Sequence, residues 1–445
     1  MNSKINTYLL LAAVVAALGG LLFGFDTAVI SGTTPFLQPY FKLDDIGLGW
    51  AVSSLLVGAI IGVISASKPG DLFGRRKTLM VAALLFVISA FGSAFSTHLW
   101  VFIVFRFIGG LAVGTASMLS PMYISEISPS SRRGQLVSLN QLAIVVGILL
   151  AFFSNYLLSE TGENNWRWML AIMGLPALFF FIALLFVPES PRWLLQKNRI
   201  DEAYYVLEKI NGEQIAKTEL ASIKETIASE SQSTIYEVFS PKIRPVLLIG
   251  ILLAVFQQAT GINSIMYYAP IIFQKVGTGV GSALIQTIVI GGINLLFTLV
   301  AIWLIDKVGR KPLLVSGAVG MILSLSTITV SFYLDKFEGY LLLVLVLTYI
   351  ASFAVSLGPA TWVVISEIFP NRLRSRAMSI AIVALWIACF IVTLTFPLML
   401  NRLGGAGTFL IFDIACILLL FFIIFKIPET KGKSLEDIEK QLYNK

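Results

Sequence analysis

Two residues place a formal charge inside apolar runs: Asp26, which follows Gly24-Phe25, and Arg106, which interrupts Val101–Val113. An unpaired charge at membrane depth costs at least ~2.5–3.5 kcal/mol on insertion scales, so the two are expected to pair. Two readings of that pair stand. In one, Asp26 is a proton carrier that is protonated from outside, releases Arg106 and so changes the preferred conformation. In the other, the pair is a static salt bridge between helices. The first is favoured because buried carboxylates in membrane bundles tend to mark ion paths.

A second constellation is Gln257-Gln258-x2-Gly261-Ile262-Asn263-x3-Tyr267-Tyr268-x-Pro270. Asn263 and Tyr267 share a helix face at i, i+4, while Gly261 and Pro270 allow the helix to break locally. Amides and a phenol supply donors and acceptors without charge, which suits a neutral polyhydroxylated ligand. A charged amino acid or phosphate would call for buried Arg, Lys or helix termini aimed at it. Interhelical hydrogen bonding competes as an explanation, and for one isolated Gln it would prevail. Asn140 and Gln141, Asn294, Trp362 (just after Gly358-Pro359) and Trp386 extend the same chemistry. An indole face packs on the apolar side of a sugar ring while amides bind its hydroxyls, although either Trp alone is more often core packing.

The elements that must position these groups follow from composition. Hydrophobic residues make up 57% of the 445, charged residues 13%, and the mean hydropathy is +0.86; a soluble chain carries about 25% charged residues. Twelve apolar segments lie near 8–31, 48–68, 78–97, 99–121, 136–158, 168–187, 245–273, 282–305, 312–333, 340–365, 377–400 and 406–427. They predict an all-α membrane protein, with twelve transmembrane helices in two pseudo-symmetric six-helix bundles and a cytoplasmic helical linker. With both termini cytoplasmic, the 32 Lys and Arg fall at the cytoplasmic side except Lys42, Arg106, Arg167, Lys275, Lys336 and Arg402; the inverted orientation violates the positive-inside rule. The net charge of +7 is thereby explained without nucleic acid. The first run is too long for a cleaved signal and lacks a small-residue cleavage pattern. Cys389 and Cys416 lie within spans, which argues against a disulfide or metal site, and the lone His98 at a helix end reads as inert. No Walker, nucleotide-loop or zinc spacing occurs, so no cofactor, ATP-driven pumping or enzyme activity is expected.

Three motifs recur in the same order: Asp71-x2-Gly74-Arg75-Arg76 and Asp306-x2-Gly309-Arg310-Lys311; Ser125-Glu126-Ile127-x-Pro129-x3-Arg133 and Ser366-Glu367-Ile368-x-Pro370-x3-Arg374; and Pro188-Glu189 and Pro428-Glu429. The chain thus reads as a duplicated unit, an architecture of membrane transporters. The expected divisions are a six-helix bundle at 1–190, an intracellular helical linker at 191–244, a second bundle at 245–430 and a cytoplasmic tail at 431–445. Within the linker, Ala203, Val206, Leu207 and Ile210 share one face, as do Ala216, Leu220, Ile223 and Ile227. The linker reads equally as a tether or as a latch that helps close an inner gate. Gly58-x3-Gly62 and Gly109-Gly110-x3-Gly114 suit close helix packing.

The residues Asp26-Thr27-Ala28-Val29-Ile30-Ser31-Gly32, Tyr123-Ile124-Ser125-Glu126, Pro188-Glu189-Ser190-Pro191-Arg192-Trp193-Leu194, Gln257-Gln258, Gly261-Ile262-Asn263, Gly358-Pro359 with Trp362, Ser366-Glu367-Ile368-Phe369-Pro370 and Pro428-Glu429-Thr430-Lys431-Gly432 resemble the sugar porter family of the major facilitator superfamily. The resemblance spans nearly the whole chain and is closest to bacterial proton-coupled symporters of the xylose type and to glucose facilitators. It implies two bundles rocking about a central site. By position it implies sugar contacts at Gln141, Gln257, Gln258, Asn263, Asn294 and Trp362, with Phe23, Tyr267, Gly358 and Trp386 supporting. It further implies proton coupling at Asp26 and Arg106, where facilitators typically have Asn in place of that Asp. Arg75, Glu126, Arg133, Glu189, Asp306, Arg310, Glu367, Arg374 and Glu429 match the cytoplasmic gate network. The chain departs from the pattern in three respects. Leu385 and Cys389 stand where amides are usual, Met173 stands where the xylose-type symporter has an acidic residue, and Ser67-Lys68-Pro69-Gly70-Asp71-Leu72 replaces the usual start of the first loop motif.

The expected function is therefore import of a monosaccharide, pentose or hexose, by proton symport through alternating access. The alternatives are an uncoupled facilitator of a sugar or a polyol such as inositol and, with less support, a sugar sensor. The expected partners are the monosaccharide, a proton and the lipid bilayer. The expected setting is a multi-pass plasma-membrane protein (the inner membrane in a bacterium) working as a monomer.

Overall fold

The structure, a computed structural model, describes residues 6–129, 132–230, 235–336, 340–369 and 373–431. Pro370, the Asp306 and Ile227 side chains and the tail from Gly432 onward lie outside the described residues. In lipid every backbone donor must be satisfied within its own segment, so long apolar runs have to become helices. Among the described residues twelve helices are long and apolar enough to span: Thr7–Phe41, Asp45–Phe73, Arg75–Ala94, Leu99–Ile127, Arg133–Leu158, Asn165–Leu184, Arg244–Lys275, Val280–Ile305, Arg310–Tyr333, Leu341–Ile368, Arg376–Arg402 and Gly404–Lys426. They are called spans one to twelve below.

The first span runs well past the apolar segment that predicted it, through Pro35 and Pro39 to Phe41. Thr33 and Thr34 bond back to the carbonyls of Ile30 and Ser31 in the stretch before Pro35. Its start is capped by Asn6, which accepts from the Tyr8 N–H at 3.0 Å, and the second span is capped by Asp44, which accepts from Gly47 at 2.7 Å.

Three spans are broken. The sixth consists of Asn165–Ala171 and Gly174–Leu184, the seventh of Arg244–Ala259 and Ile262–Lys275, and the tenth of Leu341–Val355 and Leu357–Ile368. Gly261 makes the seventh break with φ +87°, a left-handed conformation that suits glycine. The expected break at Pro270 does not occur, since the helix passes through it. In the tenth span the break falls at Ser356, just before Gly358-Pro359. Pro359 thus sits in the first turn of the new helix, where a missing N–H removes no intrahelical bond. Pro69 likewise does not end the second span.

The helices of the first half pack backbone to backbone. A Cβ on Gly110 would lie 1.9 Å from the Leu55 carbonyl oxygen, and one on Gly114 2.2 Å from that of Ala59. Between the halves, contacts concentrate at the end remote from the termini. There Asn401 donates to Asp45 at 2.7 Å, Trp50 meets Phe390 with ring centroids 5.7 Å apart, and Gly49 abuts the Leu394 carbonyl. The linker forms Pro191–Gln196, Ile200–Asn211 and Glu213–Glu230, with Ala203, Val206, Leu207, Ile210 and Ala216 buried as the periodicity predicts. The Asn6 side chain donates to the Lys209 and Ile210 carbonyls, which ties the start of the first span to this linker.

Candidate functional site

The break in the seventh span gathers the amides. Gln257 Nε2 donates to the Leu357 carbonyl at 3.0 Å, at the start of the lower half of the tenth span. Gln258 Nε2 donates to Gln257 Oε1 at 3.4 Å, and Asn263 Nδ2 to Gln258 Oε1 at 2.7 Å and to Cys389 Sγ at 3.2 Å. The result is a polarised amide chain crossing the break, with Asn263 only half-buried at its end. The break is held from behind, because the Tyr349 hydroxyl of the tenth span donates to the Thr260 carbonyl at 2.8 Å. Tyr267 is buried one turn beyond Asn263, where its side chain and that of Asn263 face the Cys389 thiol. Trp386 packs on Phe23 from the opposite half, with ring centroids 5.5 Å apart. Its indole N–H is buried with no acceptor among the described residues, which leaves one donor at the junction of the halves.

Other expected ligand groups stand less tightly. Gln141, Asn294 and Trp362 are half-buried. Asn140, next to Gln141, is buried instead against the first span, where a Cβ on Gly20 would lie 2.6 Å from its Oδ1. Leu385, Cys389 and Met173 are all buried, Met173 at the break of the sixth span.

Asp26 and Arg106 do pair. Arg106 Nη1 donates to Asp26 Oδ1 and Nη2 to the Asp26 carbonyl at 3.2 Å, and both side chains are at most 1% exposed. The pairing is incomplete, since Asp26 Oδ2 and Arg106 Nε have no partner among the described residues.

At the terminus-bearing end, each half builds the same network from different stretches of chain. Gly74 (φ +99°) and Gly309 (φ +107°) turn into the third and ninth spans. Each span then presents two N–H groups to one carboxylate: Arg75 and Arg76 to Glu189 at 3.0 and 3.2 Å, Arg310 and Lys311 to Glu429 at 3.1 and 3.0 Å. A carboxylate at a helix N-terminus also meets the positive end of the macrodipole. The arginine side chains then reach the fourth and tenth spans. Arg75 Nε lies 3.0 Å from Glu126 Oε2 and Arg310 Nη2 3.0 Å from Glu367 Oε1. Ser190 caps Glu126 and Thr430 caps Glu367, the latter at 2.5 Å.

The copies differ in electrostatics. Burial pushes the Glu189 carboxyl above its ordinary range, against N–H bonds from Ser190, Arg76 and Arg75. Burial also pushes Glu429 up, but N–H bonds from Lys431, Arg310, Lys311 and Thr430 outweigh it and hold this carboxyl below its ordinary range. Arg133 is exposed and donates to the Ser125 carbonyl at 3.1 Å, so among the described residues it holds the backbone at the end of the fourth span and not a carboxylate. Arg374 opens the helix of the eleventh span.

Two groups escaped the sequence reading. Ser190 and Thr430 were legible as the equivalent residues after each Pro-Glu. Asp413, buried in the twelfth span with Oδ2 accepting from Ser326 at 2.6 Å, carried the same sign as Asp26, a carboxylate within an apolar run.

Twelve spans, two equivalent charge networks and a polar centre at the broken seventh span define a two-bundle membrane transport protein. The chain belongs to the family described as "Sugar (and other) transporter", which it matches over residues 12–442. It is 44% identical to the arabinose-proton symporter of Bacillus subtilis (strain 168), over 97% of this chain and 95% of that protein. It is 40% identical to the D-xylose-proton symporter of Escherichia coli (strain K12), over 99% and 97%. The solved xylose transporter XylE from E. coli, in a partially occluded inward open conformation, matches with a TM-score of 0.87 at 39% identity, over 96% of this chain and 100% of that one.

Proposed function

We propose that this protein imports a pentose or hexose by proton symport, with bundles 1–190 and 245–430 rocking about the central site and the terminus-bearing end facing the cytoplasm. The observation that carries the reading is the fully buried Asp26–Arg106 pair, lying one turn from Phe23, whose ring packs on Trp386 of the sugar-binding half. Gln257, Gln258, Asn263 and Trp362 bind the sugar, supported by Tyr267, Gly358 and Trp386. Gln141 and Asn294 complete the cage when the bundles close. Ionised Asp26 holds Arg106; protonation removes that attraction, and the conformational preference shifts by whatever the pair contributed differentially to the two states. The protein acts as a monomer in the plasma membrane.

The conformation fits inward-facing access. Asp45–Asn401, Trp50–Phe390 and Gly49–Leu394 join the halves at the remote end, while Arg75–Glu126 and Arg310–Glu367 close within their own halves. Outward opening must break the first set.

An uncoupled facilitator draws on one observation, that buried Met173 supplies no second carboxylate at the sixth break. Uptake into proteoliposomes with and without an imposed pH gradient separates the two. Symport requires gradient-driven accumulation by the wild type, lost in Asp26→Asn with counterflow retained. Wild-type accumulation that ignores the gradient leaves the facilitator, and an Asp26→Asn protein without counterflow makes the pair structural. Competition with pentoses, hexoses and inositol identifies the substrate.

A further inference from the structure

Asp26 is enclosed on all sides, and the pair with Arg106 uses only Oδ1. The free Oδ2 points to the fourth span at Gly109, where a Cβ would lie 2.9 Å from it and 2.3 Å from Ser89 Oγ of the third span. Ser89 Oγ and Asp26 Oδ2 therefore flank the same glycine, and neither has a hydrogen-bond partner among the described residues. Ser93 follows one turn further toward the remote end, on the same face, also buried with an unpartnered hydroxyl. Ser96 comes next, just past the helix end, and its hydroxyl donates to the Ser93 carbonyl at 2.7 Å. Thr97 and His98, directly after it, are exposed. The turn carrying this mouth is clamped by Arg167, which donates to the carbonyls of Ala94 at 2.5 Å and Ser96 at 2.9 Å.

Buried hydroxyls without partners are uncommon and call for a physical account. Here two of them, Ser89 and Ser93, lie between Ser96 at the remote face and the one unengaged oxygen of the coupling carboxylate. We propose that the Ser89–Ser93–Ser96 row of the third span is the route by which a proton from the remote side reaches Asp26 Oδ2. The proposal rests on the reading of Asp26 as a proton carrier. One helical turn separates Ser89 from Ser93, about 5.4 Å, a gap that one water bridges with a hydrogen bond to each hydroxyl. Each hydroxyl accepts a proton on its oxygen and passes its own to the next, so the row ends unchanged. The net event is one proton taken from solvent, one O–H bond formed on Oδ2, and Asp26 converted from −1 to neutral. Among the described residues, the charged and titratable groups facing Asp26 are Arg106 of the fourth span and Tyr267 of the seventh. The arginine is the partner released, and the tyrosine side chain faces the Cys389 thiol.

The test uses the full chain in proteoliposomes with a pH-sensitive dye, comparing Ser89→Val, Ser93→Val, Ser89→Ala, Ser93→Ala and Ser89→Thr. The valines fill the space a relay water needs, whereas threonine keeps the hydroxyl. Expected are gradient-driven proton and sugar uptake slowed by roughly five-fold or more in the valine variants, the order of one lost relay hydrogen bond. Counterflow exchange at equal pH should match wild type, and Ser89→Thr should transport normally. Gradient-driven uptake at the wild-type rate in both valine variants overturns the route and sends the proton through the central cavity instead. Equal loss of counterflow and uptake in the valine variants, with the alanine variants unimpaired, also overturns it, because the serines are then packing residues. If Asp26→Asn still accumulates sugar down the pH gradient, the carrier reading itself has failed. If Asp26→Asn loses accumulation while the serine variants keep it, only the route has failed.

Discussion

Replacing Gly74 by alanine tests the duplicated charge network at its tightest point. Gly74 has φ +99° and ψ 160°, a region essentially confined to glycine, and placing another residue there costs of order 1–3 kcal/mol. The new Cβ would also lie 2.2 Å from Glu189 Oε2, so the carboxylate must leave the N–H groups of Arg75 and Arg76. Hydrogen bonds to charged groups are worth about 1.5–3 kcal/mol each, so even one lost bond roughly doubles the strain cost. Gly162→Ala supplies the control, because φ there is +106° and nothing lies within 4 Å of the added Cβ. Gly309→Ala is intermediate, since its Cβ would meet Glu429 Oε2 at 2.8 Å. Denaturation midpoints of the purified protein should therefore fall most for Gly74→Ala, less for Gly309→Ala and least for Gly162→Ala. In a double-mutant cycle, Glu189→Ala should recover the part of the Gly74→Ala loss that exceeds Gly162→Ala. Equal losses at Gly74 and Gly162, with strictly additive effects in the cycle, would refute the cradle argument.

Three further outcomes are expected. Glu429, held below its ordinary range by backbone N–H groups against the push of burial, contributes stability present above about pH 4.3 and lost as pH falls through the depressed value. Glu189, raised by burial, contributes stability fully present below that range and lost as pH rises through the raised value; melting curves against pH should thus lose their acid limb in Glu429→Gln and their upper limb in Glu189→Gln, and unchanged limbs defeat the assignment. Asn263→Ala removes the end of the amide chain and should weaken sugar binding by roughly 2- to 12-fold per lost hydrogen bond, read by titration calorimetry; an unchanged Kd removes Asn263 from the site. Ser326→Ala leaves the buried Asp413 without its donor and should destabilise by about 1–3 kcal/mol, with the pH profile of transport unmoved. A shifted transport profile would make Asp413 a second coupling group.

Much of the fold was legible because the bilayer is an exacting solvent. It forces long apolar runs into helices and places Lys and Arg on one side, and both leave one-dimensional traces. The repeated motifs located the two charge networks: Gly74 and Gly309, Glu126 and Glu367, and Glu189 and Glu429 occupy equivalent places in the sequence and in space. Asp26 and Arg106 announced their pairing because an apolar run tolerates no idle charge.

Tertiary structure decided what depends on orientation. It placed the tenth-span break at Ser356 and carried the seventh helix through Pro270, since a helix breaks where neighbours can catch the freed carbonyls, as Tyr349 catches Thr260. It engaged Arg133 with a backbone carbonyl and buried Asn140 in place of Gln141. It also left one oxygen of Asp26 unused beside Ser89. Residue type and spacing state which groups need partners; which partner each one finds is fixed only when distant helices are brought within three ångströms.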